Sequence, residues 1–258
     1  LITAHSHLLC TGLYLADENL SDKVHWVVHG HGHMLALLPQ YMPIISDNVK
    51  RADSSAAPHM LACLAAIVHV DSKDFWLSAD GGYQGPNHIC KEIVDVKPSC
   101  AIGMLNDDFS SVITNLCALQ DHCVMSGYSP GKSFFSADAF GNPCFKMCHT
   151  FLEPLEGMLS SDDNSKDSSG DGNVVHHWCI MTMLTYWQGD NSLFSFENWP
   201  LTKEKNQVEL LALKSTHQLV PLAAMDVSGH QISPYAYRRC LQDAIIEVHF
   251  TFSHWGIA

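Results

Sequence analysis

The chain is short of charge, and above all of basic charge. Charged side chains make up 16 % of its 258 residues, against about 25 % in an average soluble protein. Lys and Arg number 14 against 27 Asp and Glu, giving a formal net charge of −13. Neutralising a phosphate backbone needs clustered Lys and Arg, so a nucleic-acid partner is excluded as an expectation. Docking on an anionic membrane by charge alone is excluded on the same ground. Long hydrophobic runs are missing too. The longest, Met60 to Val70, falls short of the about 20 residues that span a bilayer, so no transmembrane segment is expected. No basic stretch followed by an apolar run opens the chain at Leu1, so a mature chain without a leader is expected.

Paired C-x-x-C knuckles are absent as well. The spacings Cys117/Cys123 and Cys144/Cys148 are wrong for a zinc ribbon. The 10 Cys lie below the about 8–10 % of a disulfide scaffold. There is no internal repeat and no heptad run. Ser160 to Asn173 (SSDDNSKDSSGDGN) has no apolar residue and reads as a solvated loop within one domain spanning residues 1–258.

What the chain does have is enough apolar residues, 47 %, for one sizeable core. Strands are expected at Ala65–Val70 and Phe75–Ala79, joined by a turn at Asp71–Asp74, and at His122–Ser126, Phe145–Phe151, Val174–His177 and Ile245–Phe252. From Asp107 to Leu119, apolar residues at Phe109, Val112, Ile113, Leu116, Cys117 and Leu119 have helical spacing. Asn106 or Asp107 is a suitable cap. A second helix is expected after Ser129, through Phe134, Phe135, Ala137 and Ala139. This order of elements predicts an α/β fold with a largely parallel central sheet.

The strongest chemical pattern is Gly127-Tyr128-Ser129-Pro130-Gly131, a G-x-S-x-G pentapeptide between an expected strand and an expected helix. In such an elbow the serine sits on a sharp turn that lifts its hydroxyl above the sheet, and the glycines let strand and helix approach. Ser129 is therefore the candidate nucleophile. Position 130 normally supplies a backbone N–H to the oxyanion hole, and Pro130 has none.

With these residues in view, the sequence resembles the fungal triacylglycerol lipases of the class 3 lipase family. The elbow matches that family's GHSLG. Asp80-Gly81-Gly82-Tyr83-Gln84-Gly85-Pro86-Asn87-His88 is similar to its oxyanion loop and lid opening. Thr150-Phe-Leu-Glu-Pro154-Leu-Glu-Gly157 is similar to its TYGAPRVGN strand end, Glu197-Asn198-Trp199 to a later strand, and His249-Phe250-Thr251-Phe252 to its catalytic H-L-x-Y. The resemblance spans about residues 65 to 252. It implies an α/β-hydrolase fold, with Ser129 as nucleophile, His249 as general base and the Gly82 N–H, with position 130, at the oxyanion. It also implies a short helical lid over Asn87–Val94, with Ile89, Cys90, Ile93 and Val94 on one apolar face. The family's acid position falls on Trp178 or Cys179, neither of them a carboxylate. Asp190 is the substitute, with Asp226 and Asp243 as others.

Other assignments remain open. Val27-Val28-His29-Gly30-His31-Gly32 is similar to the oxyanion loop of general α/β-hydrolase esterases, a register that keeps Ser129 and takes His254 as base. His25, His29, His31 and His33 would share one face of an extended stretch, and H-x-H spacing suits Zn²⁺ in a metal-dependent hydrolase. A lipase-like protein that binds without cleaving is a third. The expectation overall is a secreted, monomeric lipase. It would cleave acylglycerol esters at a lipid–water interface through an acyl-enzyme, with no metal or organic cofactor.

Overall fold

The computed structural model describes residues 2–11, 13–29, 32–41, 60–88, 90–103, 105, 108–123, 135–137, 141–155 and 191–254. Helix α1 (Ile2–Thr11) leads into the strand hairpin β1 (Val24–His29) and β2 (Gly32–Leu37). A long strand, β3 (Cys63–Phe75), is followed by β4 (Ser99–Gly103), helix α2 (Asp108–His122), β5 (Phe135–Ala137), β6 (Pro143–Cys148) and β7 (Leu152–Pro154). The C-terminal part holds α3 (Gln207–Ala212), β8 (His217–Leu219), α4 (Tyr237–Leu241), β9 (Ile245–Thr251) and β10 (Ser253–His254).

Three sheets result: a five-stranded sheet in the order β5-β6-β4-β3-β9, a three-stranded sheet β1-β2-β10, and the pair β7-β8. Every ladder among the described strands is antiparallel. This overturns the expected α/β-hydrolase fold, whose central sheet is mostly parallel. Element order, from which the parallel sheet was inferred, does not state strand direction, and the expected hairpin at Asp71–Asp74 is absent as well. Asp71-Ser72-Lys73-Asp74 reads as a reversal, but β3 runs straight through it. The Asp71 carboxylate accepts the backbone N–H groups of Lys73 and Asp74, and the pairing with β4 shifts register between Val70 and Phe75. A side chain that binds backbone two and three residues on can make a bulge as well as a hairpin.

Other expected elements change with it. Phe135–Ala137 is a strand, not part of a helix. His122 ends α2 instead of starting a strand, and Glu197-Asn198-Trp199 forms no strand, Glu197 and Asn198 lying in a turn. The described residues of the expected lid, Asn87, His88 and Cys90–Val94, form no α-helix, and Ile89 lies outside them. Ile93 is fully buried, and the Ile93 N–H donates to the Glu209 carboxylate at 2.6 Å. The Tyr83 hydroxyl donates to the same carboxylate at 3.2 Å, so this stretch is fastened to α3. Val174–His177 and Ser160–Asn173 lie outside the described residues, as do the cap positions Asn106 and Asp107.

Where apolar spacing was regular, the expectation held. α2 buries Phe109, Val112, Leu116 and Leu119. They pack on the face of the five-stranded sheet formed by Leu64, Ala66, Val68, Ile102, Phe145, Val248 and Phe250. Phe145 is at the centre, stacked on Phe109 at 6.2 Å and tilted against Phe250 at 6.4 Å. On the opposite face, Ala65 and Ile67 are covered by Leu8 of α1 and by Tyr14. His5 of α1 and the Tyr14 hydroxyl both reach Asp108 at the start of α2, at 2.8 and 3.1 Å. Burial and that carboxylate push the Tyr14 hydroxyl up to about 12.

A second apolar cluster gathers Tyr83, Ile93, Phe151, Trp199 and Leu210, with Phe151 stacked on Trp199 at 6.0 Å. The buried Asp80 ties it together. Its carboxylate accepts the Gly82 N–H at 3.0 Å, the Thr202 N–H at 2.6 Å and the Thr202 hydroxyl at 2.8 Å. Gly81 turns the chain beside it at φ +60, where a Cβ would lie 2.9 Å from Val96 Cγ1. Removing a buried acceptor orphans its donors, at about 1–3 kcal/mol each. Asp80→Ala is therefore expected to lose at least about 2 kcal/mol in urea unfolding, and Val208→Ala, at 78 % exposed, less than about 0.5 kcal/mol. Equal midpoints for the two variants would contradict this account of Asp80.

Candidate functional site

The residue that links the sequence reading to the fold is His249. It lies on β9, opposite Ala65 of β3. Alternation along β9 puts Glu247, His249 and Thr251 on one face, and the ladder brings Cys63 opposite Thr251 and Ile67 opposite Glu247. Cys63 and His249 are thus diagonal neighbours, within reach of a long side chain across two strands.

The His249 ring uses that proximity. Its Nε2 lies 2.8 Å from Glu247 Oε1, and Cys63 occupies the diagonal position across the β3–β9 ladder. Contact with Cys63 first, then with Glu247, and the charge of both, raise the imidazole from 6.5 to about 9, against an opposing pull from burial. His249 is therefore protonated at neutral pH. Cys63 is a free, half-buried thiol. The His249 and Glu247 side chains are 49 % and 36 % exposed, so the cluster is open to solvent.

A second histidine–carboxylate pair sits further along the same face. His69, opposite Ile245, meets Asp243 at 3.0 Å. Asp243 is the one non-glycine residue with positive φ, +63, among those described, a conformation that Asp tolerates better than most residues.

The other sequence-predicted site residues are not gathered here. Ser129, Pro130, Trp178, Cys179 and Asp190 lie outside the described residues. Gly82 follows the far end of β3. About ten strand residues separate Ala65 from Phe75, on the order of 30 Å at 3.3 Å per residue, and the Gly82 N–H already donates to Asp80. Asp226 closes a local turn, accepting the N–H groups of Ser228 and His230, which hold its carboxyl below the usual range. Val27 to His29 end β1 and Gly32 opens β2, while Gly30 and His31 of that segment lie outside the described residues. The β1–β2 hairpin also splits the early histidines: His25 lies on one face of β1, while His33 of β2 stands opposite Val28 on the other.

Two members of the His249 cluster were missed. Glu247 carries a readable signal, an E-x-H within an expected strand, where period-2 alternation places both side chains on one face. Cys63 carries none, because only the β3–β9 register brings it across from residues 186 positions later. Neither a protein-family model, nor a curated protein, nor a solved structure matches the chain. No helix among the described residues is long and apolar enough to cross a membrane.

A histidine raised in the folded state stabilises most below its unfolded value and loses that contribution as pH rises through the folded one. Stability in urea is accordingly expected to fall between pH 6.5 and about 9. Burial holds Cys123 and Cys100 at about 11 and 12, outside this window. Glu247→Gln should flatten the fall; an unchanged slope would remove Glu247 from the account of His249.

Proposed function

We propose that the protein is a thiol-dependent acyl hydrolase acting on carboxylic esters, with Cys63 as nucleophile, His249 as acid–base group and Glu247 as the carboxylate that orients His249. The observation that carries this reading is His249 with Glu247 2.8 Å away on its own strand and Cys63 at the diagonal position on β3. Nucleophile, base and orienting acid in series are the arrangement that acyl transfer needs. The thiolate is the attacking form of a cysteine.

The reaction starts from the thiolate form of Cys63 beside protonated His249. The Cys63 sulfur forms a bond to the ester carbonyl carbon. His249 gives its proton to the departing alkoxide as the C–O bond breaks, leaving a thioester and a free alcohol. Water, its proton taken by the now neutral His249, attacks the thioester. The sulfur leaves as thiolate and the carboxylic acid is released. Proton transfer of this kind contributes about 100- to 10,000-fold in rate.

A second reading keeps Ser129 as nucleophile in a monomeric enzyme cleaving acylglycerols at a lipid surface, and the G-x-S-x-G pentapeptide at 127–131 favours it. His249 suits it less well. A serine needs a neutral imidazole to take its proton, and this one is charged up to about pH 9.

Turnover of p-nitrophenyl butyrate separates the two. Cys63→Ala and His249→Ala are each expected to lower kcat by about 100-fold or more, iodoacetamide at Cys63 to abolish turnover, and Ser129→Ala to leave it unchanged. Activity that survives Cys63→Ala and is lost with Ser129→Ala assigns the nucleophile to Ser129. The absence of turnover in the parent chain overturns both readings and leaves the non-catalytic binding protein.

A further inference from the structure

The histidines that stand out early in the sequence have no part in the His249 cluster, and one of them meets a partner from the other end of the chain. His33 of β2 is directly opposite His254 of β10 in the three-stranded sheet. Directly opposed residues of an antiparallel pair share a face with their Cβ atoms about 4.5–5.5 Å apart. The two rings lie with centroids 6.3 Å apart and planes tilted by 41°. His33 Nδ1 is buried without a hydrogen-bond partner.

The backbone on both sides is fixed before any ligand arrives. β2 pairs with β1 over six residues. The Leu35 N–H donates to the Phe252 carbonyl at 2.9 Å, just ahead of β10. Phe252 packs edge-on against Trp26 at 5.1 Å, and the Trp26 indole N–H donates to the Leu119 carbonyl at 3.0 Å. Two imidazoles held on neighbouring strands need little ordering to share one ion.

We propose that His33 and His254 form a bidentate site for a late first-row divalent transition-metal ion, with water filling the other coordination positions. The donor set selects the metal class. Imidazole nitrogen suits Zn²⁺, Cu²⁺ and Ni²⁺, whereas Mg²⁺, Ca²⁺ and Mn²⁺ take carboxylate and carbonyl oxygen. Among the described residues no three His, Cys, Asp or Glu converge on one point, so the ion is held by two protein ligands and exchanges readily. Bound there, it joins β10 to the middle strand of its sheet. The site is distinct in residues and in sheet from Cys63, Glu247 and His249.

Ni²⁺ titration of the full chain by calorimetry tests the pair. His33→Gln and His254→Gln are each expected to weaken the tightest Ni²⁺ site at least tenfold, and the double variant to be no weaker than either single one. His25→Gln, on the other face of β1, should match the parent. Far-UV circular dichroism checks that each variant is folded. A second measurement needs no substitution: Zn²⁺ should protect His33 and His254 together from diethyl pyrocarbonate, read by peptide mass. Folded single variants with parental affinity, losses that simply add, or Zn²⁺ protection at other histidines alone would each overturn the proposal.

Discussion

The pairing of β3 with β9 is the constraint on which the rest depends. Seven consecutive residues, Cys63 to His69, lie against Thr251 to Ile245, joining segments about 180 positions apart. One face of this ribbon carries Leu64, Ala66, Val68, Val248 and Phe250 into the main core under α2. The other carries Ala65 and Ile67 under α1 and, at its open edge, Cys63, Glu247 and His249. With a side-chain period of two, a slip of one residue would exchange the faces, burying Glu247 and His249 and exposing Phe250. The burial of Phe250, fully enclosed, thus fixes the register that brings His249 to Cys63. Core packing and the candidate chemistry are two consequences of one register.

The electrostatics follow from this placement. His249 is open enough to hold a proton in water and close enough to Glu247 and Cys63 for that proton to be retained to about pH 9. A deeper imidazole would be driven neutral by desolvation, and a fully exposed one would keep its ordinary value. The half-exposed position on an edge strand balances the two. Asp80 shows the opposite solution, a carboxyl group fully enclosed but given three donors from Gly82 and Thr202, as a buried polar group requires.

The parts of this arrangement that could be read in advance are those where local periodicity and burial agree. α2 was legible because Phe109, Val112, Leu116 and Leu119 repeat at helical spacing and all four are buried. β9 was legible for the same reason at period two. The reading failed where a local signal had two outcomes. Asp71-Ser72-Lys73-Asp74 has the composition of a turn, yet its side-chain-to-backbone bonds make a bulge inside a thirteen-residue strand. The spacing of Asn87 to Val94 suited an amphipathic helix, but Glu209, more than a hundred residues on, takes the Ile93 N–H and fastens the segment as irregular chain. The parallel sheet was inferred from element order, and order does not state direction.

By itself, the sequence determined the acidic, charge-poor character of the chain, its apolar supply for a core, the helix at α2, the strand at β9 and the candidacy of His249. These are local or compositional properties, set by residue type and short-range spacing. Tertiary structure decided strand direction, the placement of Cys63 diagonal to His249, the division of the early histidines by the β1–β2 hairpin and the meeting of His33 with His254. Each of these depends on which distant segments pair and in what register. Register is set by burying one apolar face of each strand against another, a choice that no short stretch of sequence makes alone.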